Sequence, residues 1–129
     1  MILSLLLIMP IGIALNYLKY DFKIPLIFAI WFFNNLCFVC LSEEIIFRGF
    51  LLNQLKLIIN PNFNIHIILA SITFGICHYN AGFVLVILST ILGMFCGLCY
   101  QRTKQIIYPV LLHFLVNLIH IIFFTYPMV

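Results

Sequence analysis

The sequence predicts an all-α fold: a multi-pass transmembrane helical bundle of about five to six helices, forming a single membrane-embedded domain over residues 1–129. Three observations carry that expectation. Hydrophobic residues make up 66% of the chain and charged residues only 7%, against about 45–50% and about 25% in soluble domains. Apolar stretches follow one another almost to the last residue. The cations Lys19, Lys23, Lys56, Arg102 and Lys104 stand at or near the ends of those stretches, where the flanking charges of membrane helices sit. A water-soluble fold this short has too little interior to bury such a surface, so the expected solvent is lipid. A secretory signal peptide would supply a single N-terminal apolar run, whereas here the runs continue. No lipidation box or long soluble tail is visible, and no basic run suggests a nucleic-acid partner.

A membrane-spanning helix takes about 20 apolar residues, slightly fewer where the bilayer thins. The first segment runs from Met1 to Leu18 and closes at Lys19–Lys23. The second, Ile24 to Leu41, carries Trp31 and the pair Asn34 and Asn35. The third, Ser42 to Ile59, is apolar overall but opens on Glu43, Glu44 and Arg48. Asn60-Pro61-Asn62 reads as a turn, since proline lacks a donor and asparagine tolerates turn geometry. The fourth segment, Phe63 to His78, is short, and Tyr79 to Gly82 connects it onward. The fifth, Phe83 to Tyr100, holds Gly93 and Gly97 at the small-xxx-small spacing that brings helices close in lipid. Gln101 to Gln105 is a polar loop, and Ile106 to Thr125 is the last span. If every segment crosses, residues 19–23, 56–62 and 101–105 share one side; the positive-inside rule makes that side cytoplasmic and puts both termini outside.

Ionisable groups within apolar segments cost about 2.5–3.5 kcal/mol each at mid-bilayer and are functional candidates by default. Read as a helix, Glu44 and Arg48 are four residues apart and share a face, so they can pair. Glu43 is rotated about 100° from Glu44 and is left without a local partner. One glutamate is thereby tied up, and its neighbour is free for chemistry. The alternative is a surface cluster at a helix start, capped by Ser42, where acids suit the dipole.

His78 ends an apolar run, and by itself it is better explained by a membrane interface than by catalysis. In the last span His113 and Asn117 project from one face with Cβ atoms ~6 Å apart, and His120 extends the stripe. That face must meet something polar, whether a site or a neighbouring helix bonded through its side chains. A carboxylate, two histidines and an amide together can activate water and stabilise an oxyanion, which amide hydrolysis requires.

Glu43-Glu44-x-x-x-Arg48, then Phe74-x-x-x-His78, then His113-x-x-x-Asn117 resembles the CPBP family of intramembrane endopeptidases, also called Abi proteins or type II CAAX prenyl endopeptidases. Phe47-Arg48-Gly49-Phe50-Leu51-Leu52 and Gly97-Leu98-Cys99-Tyr100 resemble the family as well, so that residues 40–120 form a CPBP-like catalytic core. The resemblance implies that Glu43 and His78 activate the attacking water. It implies that His113 and Asn117 stabilise the oxyanion, while Glu44 and Arg48 hold the first motif in place. It implies a peptide or lipidated-protein substrate, of the CAAX type or the bacteriocin-leader type, met within the lipid bilayer. Similarity to the glutamate-type members favours a water activated without metal and no cofactor. The zinc alternative, a metalloprotease, would take Glu43, His78 and His113 as ligands. Family members commonly have more helices upstream than the two before Glu43 here, which fits either a minimal member or a shortened reading frame.

Two other classes compete. Cys37-x-x-Cys40 and Cys96-x-x-Cys99 have the spacing of dithiol oxidoreductases and zinc sites. Both pairs lie in apolar runs, where cysteine behaves as a small hydrophobe, without an adjacent base or clear helix N-terminus to activate a thiolate. A non-catalytic bacteriocin-immunity or partner-binding membrane protein would share the fold, and the intact Glu43, His78, His113 and Asn117 argue against it. The abundance of Ile, Asn, Phe and Lys points to an AT-rich genome and a bacterial cytoplasmic membrane.

Overall fold

The computed structural model describes residues 2–59 and 64–125, so the turn expected at Asn60-Pro61-Asn62 lies outside the described residues. Helix α1 (Ile2–Ala14) stops short of the expected span end. Asn16 takes a left-handed conformation, and the Tyr17 and Leu18 N–H groups both donate to Gly12 O, at 2.9 and 3.1 Å. The chain folds back so closely that a Cβ on Gly12 would lie 2.6 Å from Leu18 Cδ1.

The second and third expected spans are one helix, α2 (Phe28–Ile58), of 31 residues. Neither proline nor glycine interrupts it before Gly49, and Ser42 does not cap a helix start. Instead the Ser42 hydroxyl donates back to Phe38 O and Val39 O of its own helix. Glu43 and Glu44 therefore sit mid-helix, which removes the account of them as acids at a helix terminus. Two π-helical stretches, Asn35–Cys40 and Ile45–Leu51, bracket the α-helical turn Leu41–Glu44. Wide turns of this kind occur mainly at functional sites, because each re-aims the side chains beyond it.

Helices α3 (Ile65–Ile76), α4 (Phe83–Thr103) and α5 (Ile107–Phe123) follow, with a 3₁₀ turn at Tyr79–Ala81. The described residues thus form five helices. Two of them, α2 and α4, are long and apolar enough to cross a membrane by length and composition. At about 1.5 Å per residue α2 reaches roughly 46 Å, well over the roughly 30 Å hydrocarbon core.

The fusion of two expected spans overturns the expected grouping of the loops. Strand β1 (Lys19–Tyr20) pairs antiparallel with β2 (Phe124–Thr125), and Tyr17 donates its hydroxyl to Ala81 O at 2.8 Å. Those contacts gather Lys19, Lys23 and Asp21 with the end of α5. At the far end Gln101 bonds Asn64 and His66, at 3.1 Å each, bringing Arg102 and Lys104 near the start of α3. Residues 19–23 therefore lie opposite 101–105, not beside them.

The exterior is apolar, and a few polar and charged groups are buried within an otherwise apolar interior. Glu44, Arg48, His66, Ser71, Ser89 and His113 are buried, while Ile30, Phe33, Phe38, Ile46 and Phe50 along α2 are exposed. Exposed apolar area on this scale needs a lipid neighbour. Inside, α1, α4 and α5 share a cluster of Ile8, Met9, Leu88, Leu92, Leu112 and Val116. Cys40, Val110 and Phe114 join α2 to α5, and Leu52, Ile67 and Ala70 join α2 to α3.

Helices α3 and α4 meet through glycines, as the Gly93 and Gly97 spacing leads one to expect. A Cβ on Gly97 would lie 2.8 Å from Ile67 Cγ2, and one on Gly93 3.1 Å from Ser71 Cα. On α3, a Cβ on Gly75 would meet the Val86 carbonyl oxygen at 2.6 Å. Backbone cannot move aside as a side-chain tip can, so Gly75→Ala is expected to cost about 1–3 kcal/mol. Thermal unfolding in detergent checks this: a Tm equal to wild type would mean the two helices are not fixed at this separation.

Candidate active site

The site is assembled where α2, α3 and α5 meet. On α2, Glu44 Oε2 lies 3.1 Å from Arg48 Nε, four residues on, and both side chains are buried. The contact is one of charge at close range rather than a well-aligned hydrogen bond, since Glu44 Oε2 has no partner in hydrogen-bonding geometry. Arg48 reaches further: Nη2 donates to Gly93 O on α4 at 3.1 Å, and its guanidinium stands 4.6 Å from the centre of the Phe74 ring on α3. One arginine thus ties three helices together around the first motif.

The other Glu44 oxygen, Oε1, meets His113 Nδ1 of α5 at 2.9 Å. A carboxylate paired with arginine can only accept, so His113 donates from Nδ1 and its Nε2 is turned outward. That Nε2 lies 3.9 Å from Glu43 Oε2. The distance is too long for a direct hydrogen bond, and Glu43 Oε2 is buried without a hydrogen-bond partner among the described residues. The surroundings of the two glutamates differ: Glu44 has Arg48 at 3.1 Å on one oxygen and His113 at 2.9 Å on the other, whereas Glu43 meets the same histidine only at 3.9 Å.

His78 lies just beyond α3, half-buried, with Nδ1 2.9 Å from Phe74 O. The carbonyl accepts, so Nδ1 carries the proton and Nε2 keeps its lone pair. The rings of His78 and His113 both pack on Phe74, with centroids 4.8 and 5.6 Å from its own. Among the described residues no hydrogen bond joins His78 to Glu43, His113 or Asn117. Asn117 shares the His113 face of α5, and Nδ2 contacts Asn35 Oδ1 at 3.2 Å and Cys40 Sγ at 3.5 Å on α2.

Through His113 and Asn117 this face of α5 meets Glu44, Asn35 and Cys40 of α2. Glu43, His78 and His113 are not gathered, and no three His, Cys, Asp or Glu side chains among the described residues are placed to share an ion. The cysteines are free, and each pair combines unlike environments: Cys37 is exposed and Cys40 buried, Cys96 buried and Cys99 half-buried. Both pairs lie within helices, away from an N-terminus that would favour a thiolate.

A family model described as type II CAAX prenyl endopeptidase Rce1-like matches residues 25–119, a stretch that includes all three motifs. The chain belongs to the Rce1-like family of type II CAAX prenyl endopeptidases. No curated protein and no solved structure matches it. The Rce1-like family is one of membrane-embedded proteases, which agrees with the apolar exterior and the two long apolar helices.

Asn35 is the residue that reading the motifs alone passes over. It accepts from Asn117, and its Oδ1 also takes the Cys40 thiol at 3.3 Å. The signal was its presence as an amide in an apolar span, but Asn34 carries the same signal and only the helix register separates them. Asn35→Ala is expected to free the Asn117 amide and cost about 0.5–1.5 kcal/mol, up to about tenfold in kcat. Steady-state cleavage rates check it, and an unchanged kcat would show that Asn117 needs no such support.

Proposed function

We propose that this Rce1-like protein is a multi-pass intramembrane endopeptidase, bacterial and in the cytoplasmic membrane, that hydrolyses a peptide bond near the C-terminus of a prenylated protein by metal-free activation of water. The observation that carries the reading is the division of labour between adjacent glutamates. Glu44 is held between Arg48 at 3.1 Å and His113 at 2.9 Å, whereas Glu43 has no pairing this close, its buried Oε2 being unbonded and 3.9 Å from His113 Nε2.

A water held by Glu43 loses a proton to that carboxylate while its oxygen adds to the scissile carbonyl carbon. His78, with its Nε2 lone pair available, orients the same water. The carbonyl oxygen gains the negative charge and is met from α5 by Asn117 Nδ2 and by His113, whose Nε2 donates when the ring holds a proton on both nitrogens. For Asn117 the contact given up is the weak one to Cys40 sulfur, while Asn35 keeps the amide in place. The intermediate collapses as the C–N bond breaks, and the proton taken by Glu43 passes to the leaving amine.

Cleavage by the purified protein in lipid tests this. The panel holds prenylated CAAX peptides and leader-type peptides, each with and without a chelator, for wild type and Glu43→Gln. Cleavage of the prenylated peptides, resistant to chelator and lost in Glu43→Gln, is the expected result. Loss on chelation would return the zinc alternative, and equal cleavage by both proteins would remove Glu43 from the reaction.

A further inference from the structure

A cavity of about 400 Å³ lies between the start of α2 and the end of α5, with Asn35 and Asn117 in its wall together with Trp31, His120 and Thr125. Lys23 lines it too, and among the described lining residues it is the one formal charge. No carboxylate is among these lining residues, and the counter-charge of the Lys23 ammonium is Asp21, 3.2 Å away.

Lys23 is held in register with Asn117. The Asp21 and Lys23 N–H groups donate to Phe123 O and Ile122 O, both at 2.8 Å, so the loop before α2 is clamped to the last turn of the helix that carries Asn117. Its ammonium pairs with Asp21 Oδ2 at 3.2 Å, and both side chains are part-exposed. Such an exposed pair is weak and exchanges readily for a better-placed anion.

We propose that Lys23 receives the free C-terminal carboxylate of the substrate, with the few residues after the scissile bond filling the cavity. The inference rests on the proposed function, because it takes Asn117 to stand beside the scissile carbonyl. The volume fits a small ligand, in the range of about 300–1,000 Å³. A short chain end brings its charge to the ammonium, an attraction stronger than that between neutral groups. A polypeptide that continued past the cavity would bring no charge there. The cavity therefore favours cleavage close to a C-terminus, of the CAAX kind, over leader removal, in which a long chain follows the cut.

Binding tests it apart from catalysis. The protein is the full chain carrying Glu43→Gln, in lipid nanodiscs, and the probe is a fluorescent prenylated CAAX peptide made as free acid and as C-terminal amide. The acid is expected to bind about tenfold more tightly than the amide. Lys23→Met should abolish that difference, Lys23→Arg should keep most of it, and Asp21→Asn should enlarge it by removing the competing anion. Equal binding of acid and amide, binding of neither, or a preference that survives in Lys23→Met overturns the proposal. Rescue by Lys23→Arg guards against a Lys23→Met protein that fails to fold. Should wild type cleave no peptide while the Lys23-dependent preference holds, the protease reading falls and the carboxylate site stands.

Discussion

Arg48→Met is expected to destabilise the protein by about 3–5 kcal/mol, the cost of leaving a buried charge without its partner. Glu44 is fully buried and pairs with Arg48 at 3.1 Å. Removing the guanidinium also strips the Gly93 carbonyl of its donor and the Phe74 ring of its cation. The effect is therefore spread over α2, α3 and α4 rather than confined to one helix. Unfolding in detergent, followed by helical signal, measures it. The double variant Glu44→Gln/Arg48→Met should regain part of the loss, because neutral glutamine costs less to bury than an unpaired carboxylate. A single variant as stable as wild type would mean that the pair is not what holds the first motif in position.

How far the sequence carries depends on whether an interaction is local. The Glu44–Arg48 pair could be read directly, since four residues along a helix fix which side chains meet. The same spacing separated Glu43 from its neighbour, and the structure keeps that separation. Gly93 and Gly97 were legible as a contact face because small residues at this interval serve close helix packing; that the partner face is Ile67 and Ser71 was not. For His113 and Asn117 a polar partner was required by their place in an apolar helix, yet Glu44 and Asn35 are 69 and 82 residues distant and no local rule selects them.

The boundary between the second and third expected spans went astray for a related reason. Ser42, Glu43 and Glu44 look like a helix start by composition, because polar residues end spans more often than they occupy their middle. Here the helix runs straight through them, with wide turns on either side. The placement of the loops then followed from the wrong number of crossings, so that residues 19–23 were set beside 101–105 when β1 in fact meets the end of α5. The family relation was legible from the motifs, and the match over residues 25–119 bears it out.

Glu43→Gln should lower kcat by about 10²–10⁴, the usual contribution of a positioned general base, with Tm close to that of wild type. The argument is in the surroundings of the two acids. The Glu43 side chain is about 29% exposed, and its inner oxygen has no hydrogen bond from the protein to lose. An amide fills the same space, so the fold has little reason to change. Glu44→Gln is the contrasting variant: it removes the counter-charge of Arg48 and leaves His113 Nδ1 at best a neutral amide oxygen as acceptor, and it should lower Tm as well as activity. The pair of variants thus separates chemistry from support at neighbouring positions. Cleavage kinetics and thermal unfolding on the same two proteins decide it. If Glu43→Gln instead loses stability while Glu44→Gln keeps its fold and loses only turnover, the roles of the two glutamates are exchanged and Glu44 is the base.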